Sequence, residues 1–267
     1  MSKTFAEFSL HETLQQALEG LGFTTPTPVQ EQAIPAALEG KDLLVSSQTG
    51  SGKTAAFLLP TLNSLAGEEA FVSFKDRMKA VTQPTILVIS PTRELAQQVS
   101  QDAIAFVRHM KGVRIAAIMG GMPFGKQIQQ LKGAQVVVAT PGRLLDLMNQ
   151  GHLSIRDVEF FVLDEADRML DMGFVHDIKK LLAVLPKKRQ SLFFSATMPP
   201  EIVNLANAIL NKPSSVTVTP VSSTVEIIDQ SVYFVDKVNK NSLLMELLKD
   251  QNIKNVLVFT RTKHGAD

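Results

Sequence analysis

The stretch Val162-Leu163-Asp164-Glu165-Ala166-Asp167 joins apolar residues directly to three acidic ones. Its apolar residues end what we predict to be a buried strand, and two adjacent carboxylates, Asp164 and Glu165, follow at once. Acids at such a strand end are suited to hold a metal ion and a water molecule. Taken alone, the pair is also explained as two acids in the first turn of a helix, where the helix dipole favours negative charge.

A phosphate-loop pattern lies upstream of the acidic pair, in the run Ser47-Gln48-Thr49-Gly50-Ser51-Gly52-Lys53-Thr54. An apolar segment, residues 43–45, precedes the loop, and a helical pattern follows it. Gly50 and Gly52 let the backbone curl, so that successive N–H groups and the helix N-terminus form an anion site. Ser47 stands where the general pattern has glycine, and the alternative interpretation is a Gly/Ser turn that caps an ordinary helix.

The two motifs supply complementary parts of one reaction. Lys53 is predicted to place its charge on the β- and γ-phosphates of a nucleotide, and Thr54 to ligate Mg²⁺ with its hydroxyl. Asp164 is the second predicted Mg²⁺ ligand, partly through water, and Glu165 would orient or deprotonate the attacking water. Together the motifs predict the cleavage of a nucleoside triphosphate.

Short apolar segments alternate with helical patterns along most of the chain. The segments are almost continuously apolar, which is typical of parallel strands covered by helices on both faces. This βαβ rhythm predicts an α/β fold with a mostly parallel, doubly wound sheet. Clusters of Gly, Ser and Thr follow the strands, at the edge where such sheets bind ligands. The predicted strands are residues 43–45, 85–89, 114–118, 135–139, 160–163 and 191–194.

A change in composition near residues 213–224, which are rich in Ser, Thr, Pro and Val, predicts a domain boundary. We assign residues 1–213 to a first domain and 214–228 to its last strand and an interdomain linker. Residues 229–267 are assigned to the incomplete start of a second domain.

This start of a second domain is predicted to be one βαβ unit, with strands at residues 229–235 and 255–260 around a helix at 237–249. The unit is too small to bury its own core. We therefore expect it to be poorly ordered, docked on a neighbour, or exchanged between chains in a dimer.

The composition limits the class of protein. The chain has 267 residues, of which 45% are hydrophobic and 20% charged, as in soluble globular proteins. It has no apolar run of about 18 residues and no signal-peptide core, so we expect neither a membrane span nor secretion. The lack of Cys makes a reducing cytoplasm the default compartment. A net charge of +1 excludes a globally basic surface but not a basic groove, and Lys187-Lys188-Arg189 is predicted to be a solvated turn.

The run Asp164-Glu165-Ala166-Asp167, following a phosphate loop, resembles the motif that names the DEAD-box RNA helicases. Further motifs occur in the family's order over nearly the whole chain, and Met169-Leu170-Asp171-Met172-Gly173-Phe174 is similar to the bacterial RhlE-type subgroup. The resemblance implies a RecA-like P-loop NTPase domain followed by the start of a second RecA-like domain. The further motifs are Gly22-Phe23-Thr24-Thr25-Pro26-Thr27-Pro28-Val29-Gln30, Pro91-Thr92-Arg93-Glu94-Leu95-Ala96, Gly120-Gly121, Thr140-Pro141-Gly142-Arg143, Ser195-Ala196-Thr197 and Val256-Leu257-Val258-Phe259-Thr260-Arg261-Thr262.

The resemblance implies ATP and Mg²⁺ as cofactors and assigns a nucleotide pocket. Gln30 would recognise the adenine edge with its amide, and Phe5 would stack on the base. From the residues alone, a solvated helix position for Gln30 and hydrophobic packing for Phe5 are the simpler interpretations. The implied nucleotide-binding residues are Phe5, Phe23, Gln30, Gln48, Thr49, Gly50, Ser51, Gly52, Lys53 and Thr54.

The resemblance also assigns residues that contact RNA or couple it to hydrolysis. Asp167 would bond Ser195 or Thr197, although Thr197 is also explained as the N-cap of the next helix. Arg93 would contact an RNA phosphate, although a surface pair with Glu94 also explains it. Recognition of backbone and 2′-hydroxyls would be largely independent of sequence. The implied RNA-binding residues are Pro91, Thr92, Arg93, Gly120, Gly121, Thr140, Gly142 and Arg143.

The implied function is that of an ATP-dependent RNA helicase, which couples ATP binding and hydrolysis to RNA clamping and local duplex unwinding. The family's second domain carries a His-Arg-x-Gly-Arg-x-x-Arg run that this sequence does not contain. We therefore expect this chain to look truncated, to bind nucleotide, and to be weakly active alone. The alternatives are an ATP-gated RNA clamp or assembly scaffold, and a DNA-directed superfamily 2 translocase. Ribosome-assembly or RNA-decay proteins are the expected partners.

Overall fold

The chain divides into two compact units, Met1–Pro220 and Val221–Asp267, which are considered separately. The boundary lies inside the segment 214–228, where we predicted the last strand and the linker. The extents of the two predicted domains stay predictions. The computed structural model describes residues 4–67, 81–218, 229, 231–250 and 254–260.

A seven-stranded sheet forms the centre of the first unit, and all of its strands run parallel in the order β3-β4-β2-β5-β6-β1-β7. The α/β fold and the six predicted strands are confirmed, and β5 has the predicted bounds. The other strands differ from prediction by a residue or two at their ends. The strands are β1 Leu43–Ser46, β2 Ile86–Ile89, β3 Ile115–Ile118, β4 Val136–Ala139, β5 Phe160–Leu163, β6 Gln190–Ser195 and β7 Ser214–Thr217.

Helices connect the strands of the first unit. Among the described residues, no helix is long and apolar enough to cross a membrane. A short 3₁₀ helix, Phe5–Glu7, precedes the first α-helix. The helices are α1 Glu12–Gly20, α2 Pro28–Leu38, α3 Lys53–Asn63, α4 Arg93–Phe106, α5 Phe124–Leu131, α6 Pro141–Asn149, α7 Ala166–Asp171, α8 Val175–Val184 and α9 Pro200–Ile209.

The core lies on both faces of the sheet. Because side chains alternate along a strand, neighbours Phe193 and Phe194 of β6 point to opposite faces, and both are fully buried. Phe194 meets Phe57 of α3 edge-to-face, with ring centroids 5.3 Å apart. Phe193 joins the cluster under α6 and α8 with Phe161. The two-sided burial explains why these strands are apolar throughout.

The second unit contains a 3₁₀ helix, Lys237–Asn239, and a helix, α10, at Lys240–Leu247. The helix predicted at 237–249 is therefore present but shorter at its C-terminal end. The strands predicted at 229–235 and 255–260 were wrong for the part of this unit that the structure describes. A strand is defined by hydrogen bonds to a neighbouring strand, and an apolar segment without such a neighbour forms none.

A buried carboxylate, Asp42, ties the amino ends of three strands together. Asp42 is 8% exposed and directly precedes β1. Its Oδ1 accepts a hydrogen bond of 2.7 Å from the backbone N–H of Ser191 in β6. Its Oδ2 accepts another of 2.7 Å from the N–H of Asn211, ahead of β7. Each carboxylate oxygen of Asp42 therefore accepts a hydrogen bond from one backbone N–H group.

We predict that Asp42→Ala lowers the free energy of unfolding by about 2–4 kcal/mol, because it leaves two backbone N–H groups without an acceptor. Urea denaturation would measure the change. Asp157→Ala is the matched control, since Asp157 accepts only an exposed bond of 2.6 Å from Gln83. The control should stay within about 0.5 kcal/mol of the unmodified chain. Equal losses for the two variants would contradict a structural role for Asp42.

Candidate active site

The predicted chemistry-bearing motifs meet at one edge of the sheet. Strands β5, β6 and β1 are neighbours, and their carboxyl ends lie side by side. The phosphate loop follows β1, the acidic pair follows β5, and Ser195-Ala196-Thr197 ends and follows β6. The strand order thus brings together three segments that are far apart in the sequence.

The phosphate loop has the backbone that its glycines permit. Gly50 and Gly52 adopt φ values of 81° and 90°. A Cβ on Gly52 would lie 2.5 Å from Nε2 of Gln30 and 2.9 Å from Oγ1 of Thr27, so a larger residue would displace both. Lys53 begins α3, is 7% exposed, and donates from Nζ to the carbonyl of Ser47 at 3.2 Å. The loop is therefore preformed around a buried ammonium group.

Ser47 fits the loop although the general pattern has glycine there. It is not among the described residues with positive φ, so the position requires no glycine. Its N–H donates to the carbonyl of Ser195 at 3.1 Å, and its hydroxyl accepts from Ser51 at 3.2 Å. The serine thereby anchors the loop to β6, and the alternative of a simple helix-capping turn does not account for these bonds.

Asp164 is a buried carboxylate with an unused oxygen. It is 2% exposed, and its Oδ1 has no hydrogen-bond partner among the described residues. Burial raises the pKa of Asp164 to about 7, even though Lys53 acts in the opposite direction. A buried acceptor without a partner is costly, and a cation or a water molecule would satisfy it. The residue therefore fits the predicted Mg²⁺ site.

Glu165 adopts an unusual backbone conformation. Its φ of 50° and ψ of 55° are left-handed, at a cost of about 1–2 kcal/mol for a residue with a side chain. Its carboxylate is nearly buried and lies 3.3 Å from Nη1 of Arg168. A strained backbone of this kind persists only where the surrounding structure enforces it. Such residues occur most often at functional sites.

Asp167 connects the acidic motif to β6. Its Oδ2 accepts bonds of 2.9 Å from both the N–H and the hydroxyl of Thr197. Its N–H donates to Oγ of Ser195 at 3.2 Å, and that hydroxyl donates to the Thr197 carbonyl at 2.8 Å. Burial alone would raise the pKa of Asp167, but the bonds from Thr197 and Ser195 outweigh it and hold the pKa below its usual range. The predicted coupling contact is present, while Pro199 rather than Thr197 precedes α9 as its N-cap.

A cleft of about 280 Å³ lies over these groups. It contains predicted nucleotide-binding residues together with one face of α4, which we did not predict. The α4 residues are spaced by three or four positions, so helical periodicity could have placed them on one side. Burial raises the pKa of one of them, Asp102. The lining residues are Phe23, Gln30, Thr49, Gly50, Gly52, Lys53, Thr54, Ala55, Leu95, Gln98, Asp102, Phe106, Asp164 and Glu165.

Three predicted nucleotide-binding residues do not line this cleft. Phe5 is 4% exposed and meets Phe8 and Phe23 edge-to-face at 5.8 and 5.9 Å, so it occupies the hydrophobic packing that was its alternative interpretation. Gln48 is exposed beside the cleft, and Ser51 bonds within the loop. Of the aromatic residues predicted for this pocket, Phe23 is the one that faces the cleft.

Gln30 is buried and is not the solvated residue of its alternative interpretation. Its Oε1 accepts from the N–H of Thr27 at 2.9 Å, which completes a capping box at the start of α2. Its Nε2 donates to the carbonyl of Gly52 at 3.0 Å. The amide therefore joins α2 to the phosphate loop and retains one N–H and one lone pair.

The predicted RNA-binding residues follow β2, β4 and β3, beside the nucleotide cleft on the same edge. Thr92 caps α4 by accepting from the N–H of Leu95 at 3.3 Å, and Arg93 is exposed at the first position of α4. The guanidinium of Arg93 lies against Gly121, where a Cβ would overlap it and φ is 77°. Gly120 and Gly142 have open space around their backbones. Pro91 and Thr140 are buried at the ends of their strands.

Arg143 differs from the others because its guanidinium is engaged within the fold. Its side chain is 10% exposed, and Nη1 donates to the carbonyl of Met122 at 2.8 Å. The group also lies 3.9 Å from the ring centroid of Phe124. In this conformation Arg143 positions the Gly121 loop and is not open to a phosphate.

Known proteins resemble this chain over most of its length. The family model described as DEAD/DEAH box helicase matches residues 27–205. The ATP-dependent RNA helicase DeaD of Haemophilus influenzae is 41% identical over 264 residues, covering 98% of this chain and 41% of DeaD. The DEAD-box ATP-dependent RNA helicase CshA of Streptococcus pneumoniae is 42% identical over 264 residues, covering 98% of this chain and 48% of CshA.

A crystal structure of a DEAD box protein from Methanococcus jannaschii is similar in fold. Its TM-score is 0.71 at 35% identity, and the match covers 94% of this chain and 64% of that protein. Compared with DeaD and CshA, the chain spans roughly 41–48% of the length of these relatives.

We predict that Asp164→Asn stabilises the protein at pH 8 but not at pH 4, in the absence of nucleotide and metal. The folded pKa of about 7 lies above the ordinary 3.8, so the unfolded chain releases its proton first and stability falls as the pH rises between these values. Asn removes this loss, which amounts to at most about 4 kcal/mol.

Thermal melts at pH 4, 6 and 8 in EDTA would measure this effect. The exposed Asp171 supplies the control variant, Asp171→Asn, which should not reproduce the stabilisation at pH 8. A pH-independent difference for Asp164→Asn would show that Asp164 is not destabilised by its burial.

Proposed function

The chain belongs to the DEAD/DEAH box helicase family, and on that basis we propose that it acts as an ATP-dependent RNA helicase. One observation carries the proposal: the bridge from Asp167 to Thr197 joins the nucleotide cleft to the neighbouring strand. Through this bridge the occupancy of the cleft and the position of β6 depend on each other. The proposed activity is the coupling of ATP binding and hydrolysis to RNA clamping and local duplex unwinding.

ATP would bind with its phosphates in the loop. The N–H groups of the loop and the α3 N-terminus favour anions, and the Lys53 ammonium lies at their centre. Binding would exchange the Lys53 contact with the Ser47 carbonyl for a charge-assisted contact with a phosphate. The base would lie toward Phe23 and Phe106, whose rings are 5.7 Å apart, with the remaining N–H and lone pair of Gln30 available to adenine.

Mg²⁺ would be held by the Asp164 carboxylate, partly through water, and by the Thr54 hydroxyl. Its chemistry there is the neutralisation of charge on the phosphates. One carboxylate and one hydroxyl suit Mg²⁺, which keeps several waters and takes its other ligands from the substrate.

Glu165 would act on the attacking water. The left-handed backbone directs its carboxylate into the cleft next to Asp164, where it could accept a proton from a water beside the terminal phosphate. Arg168, 3.3 Å away, would hold this carboxylate in place.

RNA would lie across the ends of β2, β4 and β3. The exposed guanidinium of Arg93 and the open backbone at Gly120 and Gly142 suit contacts with phosphates and sugars. Such contacts carry no base information, so binding would be largely independent of sequence. The finer expectations of an RhlE-type subgroup, a cytoplasmic location, partners in ribosome assembly or RNA decay, and dimerisation through the tail stay predictions from the sequence.

We predict that Lys53→Ala lowers the affinity for ATP at least about tenfold, because a charge-assisted phosphate contact is worth about 1.5–3 kcal/mol. Titration calorimetry with ATP and Mg²⁺ would measure the change. The exposed Lys132 provides the control variant, Lys132→Ala, which should bind ATP as the unmodified chain does. Equal affinity in all three proteins would refute the phosphate-loop assignment.

A second prediction concerns the coupling to RNA. In a protein that includes the second domain, a nonhydrolysable ATP analogue should raise the affinity for a 20-nucleotide RNA but not for DNA of the same sequence. Glu165→Gln should keep this effect while reducing RNA-stimulated ATP hydrolysis by about 10²-fold or more. Equal behaviour with DNA would favour a DNA-directed translocase. Undiminished hydrolysis in Glu165→Gln would refute Glu165 as the base.

A further inference from the structure

We propose that the amino edge of the sheet carries a second phosphate-binding site, which takes backbone phosphates of RNA outside the helicase path. The identification of the polymer as RNA rests on the proposed function. The site is a cavity of about 390 Å³ beside the starts of β1, β6 and β7. Its charged lining residues are Lys41, Asp42, Lys187, Lys188, Arg189 and Lys212.

The site concentrates positive charge in a nearly neutral chain. Five cations and a single carboxylate line the cavity, whereas the net charge of the whole chain is +1. The carboxylate, Asp42, already satisfies two backbone N–H groups. Lys41 pairs with Glu39 at 2.6 Å. No ion pair within the described part of the chain involves Lys187, Lys188 or Lys212. Three exposed ammonium groups are therefore available to an anion.

Arg189 is built into the cavity wall, which the solvated turn we predicted for this run does not explain. Its Nη1 donates to the Pro186 carbonyl at 2.7 Å, and its Nη2 donates to the Ile209 carbonyl at 3.3 Å. These bonds fix the guanidinium plane, and the buried Nε has no partner among the described residues. An immobilised guanidinium group with an unused N–H donor is suited to bind an anion.

Ser191 supplies a second unpaired group. It lines the same cavity, is 1% exposed, and its buried Oγ lacks a hydrogen-bond partner among the residues described. A buried hydroxyl and a buried N–H without partners are each unfavourable, because both groups lose their hydrogen bonds to water. A phosphate oxygen reached through a small rotation of the Ser191 side chain would recover part of that cost.

The cavity is distinct from the nucleotide cleft. β1 runs from Leu43 to Ser46 between Asp42, in the cavity, and Ser47, in the phosphate loop. At about 3.3 Å per residue, these two residues are separated by roughly 15 Å along the strand. One nucleotide cannot occupy both places, so an anion at the amino edge is an additional ligand.

The arrangement of the lysines favours a polymer over a compact ligand. Lys187, Lys188 and Lys212 line the cavity from two different segments of the chain, and all three are exposed. Lysines spread in this way neutralise successive phosphates and release counterions, as in contacts to a nucleic-acid backbone. The site would hold a structured RNA while the carboxyl edge acts on one of its strands.

The test is the triple variant K187A/K188A/K212A, which retains Arg189 and Asp42 and so leaves the fold intact. The probe is a fluorescein-labelled RNA hairpin of 20 base pairs without nucleotide, followed by anisotropy between 50 and 200 mM KCl. We expect affinity to fall about tenfold at 50 mM KCl, and the slope of log K against log salt to become shallower by about two. The control K111A/K179A/K180A removes three exposed lysines that do not line the cavity and should change neither value.

A second arm uses inorganic pyrophosphate and the amide resonances of Ser191 and Asn211. Both amides should shift with pyrophosphate in the unmodified chain and stay unchanged in the triple variant. Unchanged RNA affinity and slope, or an equal loss in the control, would overturn the proposal. Amide shifts without any effect on RNA would overturn the RNA assignment in favour of a small polyphosphate. If the unmodified chain and both variants fail to bind ATP, the proposed function is refuted. If the triple variant still loses RNA affinity in that case, the proposed phosphate site is nevertheless supported.

Discussion

The parallel direction of all seven strands is the constraint on which the rest of the structure depends. It places every carboxyl strand end on one edge and every amino end on the other. The phosphate loop and the acidic pair are more than a hundred residues apart, yet each follows a strand within two positions of the other in the sheet. No local contact could create that neighbourhood. It exists because β6, with its two phenylalanines facing opposite cores, fits between β1 and β5.

The sequence predicted those features that a local pattern determines. The strand at 160–163 and the glycines of the loop follow from apolar runs and backbone sterics, which are local properties. Phe5 shows where such reasoning fails, because its burial depends on Phe23 and Phe8 folding over it. Arg143 shows the same limit, since its partner Phe124 comes from a different segment. The tail strands were overpredicted because apolar sequence indicates a tendency to pair, whereas pairing itself requires a neighbour.

Two unfavourable features lie next to each other at the carboxyl edge. Asp164 is buried with an unused oxygen, and Glu165 holds a left-handed backbone. The packed faces of the sheet supply the stability that tolerates both. Ligand binding can relieve the first of these costs, because a cation or water would complete the shell of Asp164.

A comparison of Asp42 with Asp164 separates a structural acid from a functional one. Both are almost fully buried, and both lie at the end of a core strand. Asp42 has each oxygen occupied by a backbone N–H at 2.7 Å, so it has no capacity left for a ligand. Asp164 leaves Oδ1 without a partner in the described structure and lies beside a lysine. Both residues are buried acids, and their hydrogen bonds differ most clearly. Hydrogen-bond satisfaction also distinguishes Arg189 and Ser191 from ordinary surface residues, because each has a buried polar atom without a partner in the described structure. This is the reason for proposing a ligand site at the amino edge.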